Sequence, residues 1–181
     1  MATQKKIILG VTGSIAAYKS ADIVRRLVEK NLRVSVVMTK EAEQFITPLT
    51  FLGLSGEKVY RDLFGTDEEA KNMPHIKLAQ EADAVLITPA TANVIGKVAC
   101  GLADDLLTCI VMATKAPVIF VPAMNVEMYR NKIVQENCAK LQKLGYTFIE
   151  PVEGKLACGT YGQGHIASED EIVKAVLRAL K

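Results

Sequence analysis

One cysteine of this chain stands in a glycine-rich stretch rather than in an apolar segment. Cys158 lies between Lys155 and His165, in a stretch with glycine at positions 159, 162 and 164. Cysteines used for packing normally lie inside apolar helices or strands, whereas glycine permits tight turns and close approach to a ligand. The pattern predicts a loop that brings a thiol over a bound molecule. An incidental cysteine in a surface loop is an equally open interpretation of this stretch alone.

A histidine and an asparagine stand at predicted helix starts. His75 follows Pro74, and the positive end of the helix dipole there disfavours imidazolium, so a neutral imidazole could act as a base. Asn125 comes shortly after a predicted strand and places an amide at the sheet edge. Taken singly, His75 is more typical of a surface residue and Asn125 of a helix cap. Together with Cys158 they favour a catalytic site.

Composition narrows the classes of function. The 181 residues carry 22 basic and 20 acidic side chains and are 50% hydrophobic, which gives no electrostatic case for binding nucleic acid or a membrane surface. Four scattered cysteines and two histidines argue against a metal site, and reduced thiols predict a cytoplasmic protein. The apolar residues after Lys5-Lys6 mimic a secretory signal, but a strand, a turn and an amphipathic helix explain more of them.

Apolar strands alternate with helices along the chain, which predicts an α/β fold with a three-layer doubly wound (Rossmann-like/flavodoxin-like) parallel sheet, as a single domain over residues 1–181. Predicted strands cover residues 7–11, 32–38, 84–88, 118–121 and 146–149. Residues 48–61 are ambiguous, with a strand near 59–60. We expect a short helix from Thr39 to Phe45, one long helix from Val126 to Leu144, and a closing helix capped by Ser168.

Ligands of such sheets bind beyond the carboxyl ends of the strands. After the first strand, the turn around Gly13-Ser14 supplies backbone N–H groups and a hydroxyl at a helix start, which is a phosphate cradle in physical terms. Ala16 replaces the third glycine of the dinucleotide pattern, and Thr39 replaces the acid that would hold a ribose. The turn therefore favours a mononucleotide over NAD, although a plain tight turn stays open.

Two further loops follow strands at the same predicted edge. Residues 88–93 combine small and polar side chains, suited to lie along a flat ring and to hydrogen-bond its edge. Residues 121–125 follow the next strand and end in Asn125.

Segments spread over nearly the whole chain, in the family's order, resemble the homo-oligomeric flavin-containing cysteine decarboxylases, and within them the phosphopantothenoylcysteine decarboxylases of coenzyme A biosynthesis. The matching segments are residues 13–19, 74–76, 89–93, 105–108, 122–129 and 156–159. The resemblance implies FMN as cofactor, His75 as the base, Asn125 as a ligand of the substrate carboxylate, and Cys158 as the proton donor on a substrate-covering flap. It also implies a homotrimer, or a homododecamer built from trimers, with active sites at subunit interfaces.

The resemblance extends to binding residues. It implies cofactor contacts from Gly13, Ser14, Ile15, Ala16, Thr39, Phe45, Thr91, Ala92, Asn93, Val94 and Ala123, and substrate contacts from Asn125, Met128, Lys155, Leu156 and Ala157. Tyr129 departs from the family, which usually carries tryptophan there, although an aromatic packing role survives. The chain also stops where many bacterial relatives continue into a second domain, which implies a separate phosphopantothenate–cysteine ligase.

The expected reaction needs a redox cofactor. Direct loss of CO₂ from 4'-phosphopantothenoylcysteine would leave a carbanion without an electron sink, whereas oxidation to a thioaldehyde places C=S beta to the carboxylate. A flavin can accept and later return that hydride, which yields 4'-phosphopantetheine. Three alternatives stay open: an oxidative decarboxylase of peptide C-terminal cysteine, a flavin prenyltransferase, and a non-enzymatic flavin-binding regulatory protein.

Overall fold

The computed structural model describes residues 4–64, 73–155, 159 and 161–181. Its main sheet is parallel throughout, with strand order β3-β2-β1-β4-β5-β6. The strands are β1 Lys6–Val11, β2 Arg33–Met38, β3 Val59–Tyr60, β4 Ala84–Ala90, β5 Val118–Pro122 and β6 Thr147–Phe148. This confirms the predicted α/β doubly wound sheet, and the order reverses between β1 and β4, where such sheets bind ligands.

Helices cover both faces of the sheet. They are α1 Lys19–Glu29, α2 Pro48–Ser55, α3 Pro74–Glu81, α4 Ala92–Ala99, α5 Leu106–Ala113, α6 Val126–Arg130, α7 Lys132–Lys143 and α8 Glu169–Ala179, with 3-10 turns at Ile15–Tyr18 and Ala42–Gln44. The core contacts of α1, α2 and α8 lie on one face, and those of α3, α4, α5 and α7 on the other. Within the described ranges, no helix is long and apolar enough to span a bilayer.

Two helix predictions are wrong in detail. The single helix expected over residues 126–144 is two helices, because Asn131 interrupts it and its Oδ1 accepts a hydrogen bond from Ile133 N at 2.9 Å. Asparagine offers the backbone such a local partner and so favours a helix start over a helix interior. The expected helix between Thr39 and Phe45 is only a 3-10 turn.

The stretch expected to form a glycine-rich loop contains an antiparallel hairpin. Strand β7 (Val152–Lys155) pairs with β8 (Tyr161–His165), and Gly154 lies opposite Gly162. Glycine in a strand is typical of close approach by another backbone or side chain. A Cβ at Gly162 would lie 3.0 Å from Val126 Cγ2, so the strand packs directly on α6.

Candidate functional site

A cavity of about 280 Å³ opens at the carboxyl ends of β1, β4 and β5. Its lining comes from four segments of the chain, which follow β1, β2, β4 and β5. The lining residues are Gly13, Ser14, Thr39, Glu41, Thr91, Ala92, Asn93, Val94, Ala123, Met124 and Met128. The cavity thus lies at the reversal of strand order, where the sequence predicts a ligand.

The Gly13-Ser14 turn forms one wall. Ser14 Oγ accepts a hydrogen bond from Ala16 N at 3.3 Å and donates one to Ala123 O at 3.2 Å, which joins this turn to the end of β5. A Cβ at position 13 would lie 2.3 Å from the Cβ of Glu41, so only glycine fits where these two segments cross. The wall therefore depends on a backbone approach that any side chain at Gly13 would prevent.

A buried threonine connects the first wall to the second. Thr12 is fully buried, and its Oγ1 donates a hydrogen bond to Pro89 O at 2.7 Å. The same oxygen accepts one from Thr91 N at 3.1 Å. One hydroxyl thus fixes the backbone just before the second cavity loop, a role that the sequence did not suggest.

The second wall is the start of α4. Thr91 caps this helix by accepting a hydrogen bond from Val94 N at 3.4 Å. The first N–H groups of a helix have no partner within it and carry partial positive charge. Among the described residues that line the cavity, Glu41 is the only one with a charged side chain. An anion here would therefore be held by backbone N–H groups and the Thr39 hydroxyl, since the hydroxyl of Ser14 already donates to Ala123 O.

Asn125 begins α6 at the third wall. Its Oδ1 accepts hydrogen bonds from Glu127 N at 2.8 Å and Met128 N at 3.4 Å, which fixes the orientation of the amide. Met124, directly before it, and Met128, three residues after it, line the cavity, whereas Asn125 itself is not among the lining residues. Asn125 caps α6, and this role is compatible with the predicted role in a catalytic site.

His75, like Asn125, is not among the residues that line this cavity. It occupies the second position of α3 and shares a helix face with Leu78 and Ala79, both buried. Its Nδ1 is buried, and no hydrogen-bond partner for it occurs among residues 4–64, 73–155, 159 and 161–181.

The structure brings most predicted cofactor residues together. The cavity contains Gly13, Ser14, Thr39, Thr91, Ala92, Asn93, Val94 and Ala123. The remaining three lie elsewhere: Ile15 and Phe45 are exposed, and Ala16 packs against the core. Among the predicted substrate residues, Met128 lines the cavity and Lys155 ends β7. Leu156, Ala157 and Cys158 lie outside the described residues.

Two lining residues were missed, Glu41 and Met124. Glu41 arrives through the crossing with Gly13, which no pattern within the sequence reveals. Met124 sits inside a segment that the sequence did single out, directly before Asn125.

Residues 105–108 build a structural feature rather than a wall of the cavity. Asp105 and Thr108 form a capping box at the start of α5, with Thr108 N donating to Asp105 Oδ1 at 2.8 Å. Lys97 binds Asp105 at 2.9 Å and Asp104 at 2.8 Å. Burial raises the pKa of Asp105, but the hydrogen bonds from Thr108 and Lys97 outweigh it and hold that pKa below its usual value.

Comparison with known proteins decides the family. The flavoprotein family matches residues 1–181. The chain belongs to the flavoprotein family. This membership confirms the family and the flavin cofactor that the sequence predicts.

Curated relatives share close to half of their aligned residues with this chain. The "Coenzyme A biosynthesis bifunctional protein CoaBC" of Vibrio vulnificus is 49% identical over 169 residues, which cover 93% of this chain and 42% of that protein. This chain thus spans less than half the length of that relative. The "Probable phosphopantothenoylcysteine decarboxylase" of Streptococcus mutans is 44% identical over 174 residues and matches at nearly full length, with 95% of this chain and 97% of that protein covered.

Solved structures share the fold. A cysteine-to-serine mutant of PPC decarboxylase, complexed with pantothenoylaminoethenethiol, has a TM-score of 0.87 and 32% identity, and covers 97% of this chain and 98% of its own. The FMN-dependent cysteine decarboxylase SpaF has a TM-score of 0.84 and 29% identity, with 98% of both chains covered.

Proposed function

We propose that this protein is an FMN-dependent phosphopantothenoylcysteine decarboxylase, a carboxy-lyase that converts 4'-phosphopantothenoylcysteine to 4'-phosphopantetheine and CO₂. One observation carries the proposal: Met124 and Met128 line the cavity at the strand-order reversal, and Asn125, which lies between them in the sequence, has its amide held by two backbone hydrogen bonds. The full-length likeness to the S. mutans protein, and to solved cysteine decarboxylases, supports the same activity.

The cavity fits the phosphate end of FMN. The Gly13-Ser14 turn, Thr39 and the start of α4 all line the cavity and carry backbone N–H or hydroxyl groups, which suits a phosphate group. The residues at Ala92, Asn93 and Ala123 are small enough to leave room for a flat ring. When bound, FMN would supply the one capacity that side chains lack, which is to take up and later return two electrons with a hydrogen.

The chain's own residues would then handle protons and orientation. Asn125 holds the substrate carboxylate through a charge-assisted hydrogen bond, with its amide oriented by the cap. His75 accepts the thiol proton at the start of the reaction, and Cys158 returns a proton to the carbon that has lost CO₂. The net change is loss of CO₂ and gain of a proton at carbon, so no external oxidant is consumed.

We infer a homo-oligomer, a trimer or a dodecamer, with a neighbouring subunit completing each site. The cavity of about 280 Å³ falls just below the range of about 300–1,000 Å³ typical of small-molecule pockets. Met128, which lines the cavity, is exposed, and so are Ile15 and Phe45, which do not line it. His75 lies outside the cavity of its own chain, which a site shared between subunits would explain.

The proposal extends to the setting of the enzyme. Residues 1–181 would act as one flavoprotein domain in the cytoplasm, with a phosphopantothenate–cysteine ligase supplying the substrate. The bifunctional relatives, of which this chain matches 42%, support a partner in the same pathway.

A product assay tests the proposal. Purified flavin-loaded protein is mixed with phosphopantothenoylcysteine, and CO₂ and phosphopantetheine are quantified together with any enethiol. Equal amounts of CO₂ and phosphopantetheine are expected. A peptide ending in cysteine serves as the competing substrate. Conversion of that peptide to an enethiol, with phosphopantothenoylcysteine untouched, would identify the peptide-decarboxylase alternative, and no CO₂ from either would leave the regulatory alternative.

A further inference from the structure

Tyr129 is a buried titratable residue to which the proposed reaction assigns no role. Its ring is 5% exposed and lies on the inner side of the short helix α6, the helix that Asn125 begins. Its hydroxyl donates a hydrogen bond to the Glu150 carboxylate. Burial and the Glu150 carboxylate raise the pKa of Tyr129, so the hydroxyl stays protonated and remains a donor.

Glu150 is the chain's last residue but one before the β7–β8 hairpin. Pro151 follows it, and β7 begins at Val152. Burial, and to a smaller extent the negative charge of Glu150, raises the pKa of the Cys138 thiol on α7 to about 11. The Tyr129–Glu150 hydrogen bond therefore joins α6 to the point where the chain enters the hairpin.

The other strand of the hairpin also rests on this part of the chain. Gly164 O accepts a hydrogen bond from Met124 N at 3.1 Å, just before Asn125. Gly162 packs on Val126, with only 3.0 Å between its Cβ position and Val126 Cγ2. The hairpin root is thus held against residues 124–129 from both strands.

We propose that Tyr129 and Glu150 are positioning residues that hold the β7–β8 hairpin against α6, and so fix the hairpin relative to Asn125. This rests on the proposed function, in which Asn125 binds the substrate carboxylate and the residues joining β7 to β8 include the proton donor. Tryptophan at position 129 would keep the aromatic packing, whereas tyrosine adds a hydroxyl that reaches the carboxylate of Glu150.

Hydrogen exchange in the flavin-loaded protein tests the inference without relying on turnover. Tyr129→Phe keeps the ring and removes the donor, and Glu150→Ala removes the acceptor. Each should speed exchange of the β7 and β8 amides about tenfold, the value expected for one lost hydrogen bond of about 1.4 kcal/mol, with exchange in α8 unchanged. The double variant should show no further increase. Glu150→Gln keeps an acceptor and should behave nearly as wild type.

Kinetics separate positioning from general stability. In Tyr129→Phe and Glu150→Ala, kcat for phosphopantothenoylcysteine should fall severalfold while bound flavin stays at the wild-type level. Thr114→Val is the stability control, because it removes a hydrogen bond from Thr114 Oγ1 to Ala79 O at 3.0 Å, outside the hairpin and the cavity. It should lower the melting temperature and leave hairpin exchange and kcat unchanged.

Unchanged hairpin exchange in Tyr129→Phe would overturn the inference. Faster exchange over the whole chain, or additive effects in the double variant, would overturn it as well. Absence of any decarboxylation by the wild-type protein would instead overturn the proposed function, and the exchange measurements would still decide whether this hydrogen bond holds the hairpin.

Discussion

The starts of α3 and α6 carry two of the three predicted catalytic side chains, and they hold them in different ways. At α6, Asn125 accepts two backbone hydrogen bonds that orient its amide. At α3, Met73 makes no side-chain cap and has a positive φ of 42°, and His75 Nδ1 has no hydrogen-bond partner within the described part of the chain. A side chain fixed by its own helix is suited to holding a substrate group, whereas an imidazole nitrogen without such a bond is suited to exchanging a proton.

This contrast predicts different effects for substitutions at the two kinds of position. The side chains of Asn125, Thr12 and Asp105 make hydrogen bonds to the backbone. Substitutions there should alter orientation, affinity or stability in proportion to the hydrogen bonds lost. Changes at His75 should alter chemistry alone, since no described hydrogen bond depends on its Nδ1.

The largest effect is expected for His75→Asn. The variant should fold and retain flavin, because no described hydrogen bond of Nδ1 is lost, while CO₂ release slows by about 10²–10⁴-fold, the usual contribution of a general base. Single-turnover CO₂ release, flavin absorbance and melting temperature measure the three quantities. Lys77→Gln, an exposed change on the same helix, is the matched control. Undiminished CO₂ release by His75→Asn would show that the base lies elsewhere.

The next effect is expected for Asn125→Asp. Aspartate caps helices as well as asparagine, so the free energy of unfolding in urea should change by less than about 0.5 kcal/mol. The new negative charge would repel the substrate carboxylate, and kcat/KM should fall about 100-fold. Asn131→Asp provides the control, because Asn131 caps α7 in the same manner but neither of its sequence neighbours lines the cavity, whereas Met124 next to Asn125 does. Wild-type kcat/KM in Asn125→Asp would mean that the carboxylate is bound by another group.

Much of the fold could be predicted because it depends on local patterns. Continuous apolar strands identified the sheet, and Ser14 and Ser168 were recognisable as caps from the residues that follow them. The glycine turn and the loops at 88–93 and 121–125 were recognisable in the same way, because each directly follows a strand.

What could not be predicted depends on contacts between distant residues. Strand β8 is stabilised by its packing on Val126 and its hydrogen bond with Met124, both of which are distant in the sequence. Because its own residues do not indicate these contacts, its glycines resemble those of a loop. Glu41 enters the cavity only because its segment crosses Gly13. Thr12 is hydrogen-bonded to Pro89 and Thr91, which lie 77 and 79 positions further along the chain. No local sequence pattern spans such a separation.

Cofactor affinity can test whether the hydrogen bonds of Thr12 hold the loop that leads into α4. Thr12→Val keeps the shape and removes both hydrogen bonds to the loop that leads into α4, so the dissociation constant for FMN should rise about tenfold, as expected from a loss of about 1.4 kcal/mol. Thr12→Ser keeps the hydroxyl and should bind nearly as wild type. Quenching of FMN fluorescence gives the affinities. Equal dissociation constants for the valine and serine variants would show that the loop holds its position without Thr12.

The smallest effect is expected at Asp105, where the sign depends on pH. Its pKa is lowered in the folded protein, against an unfolded value of about 3.9. The carboxylate therefore stabilises the fold above about pH 4, and this contribution is lost as the pH falls through the lower folded value. Asparagine at this position would keep the cap and lose the charge.

Asp105→Asn should accordingly lower the free energy of unfolding by about 1 kcal/mol at pH 7, the size of a partly buried charge-assisted hydrogen bond, and by progressively less below pH 4. Urea titrations of both proteins between pH 7 and pH 3 measure this difference. Asp104→Asn is the control, because Asp104 binds the same Lys97 but is far more exposed, and it should change stability by less than about 0.5 kcal/mol. A difference for Asp105→Asn that is equal at pH 7 and pH 3 would show that the charge of Asp105 contributes nothing, and that the capping hydrogen bonds alone stabilise the start of α5.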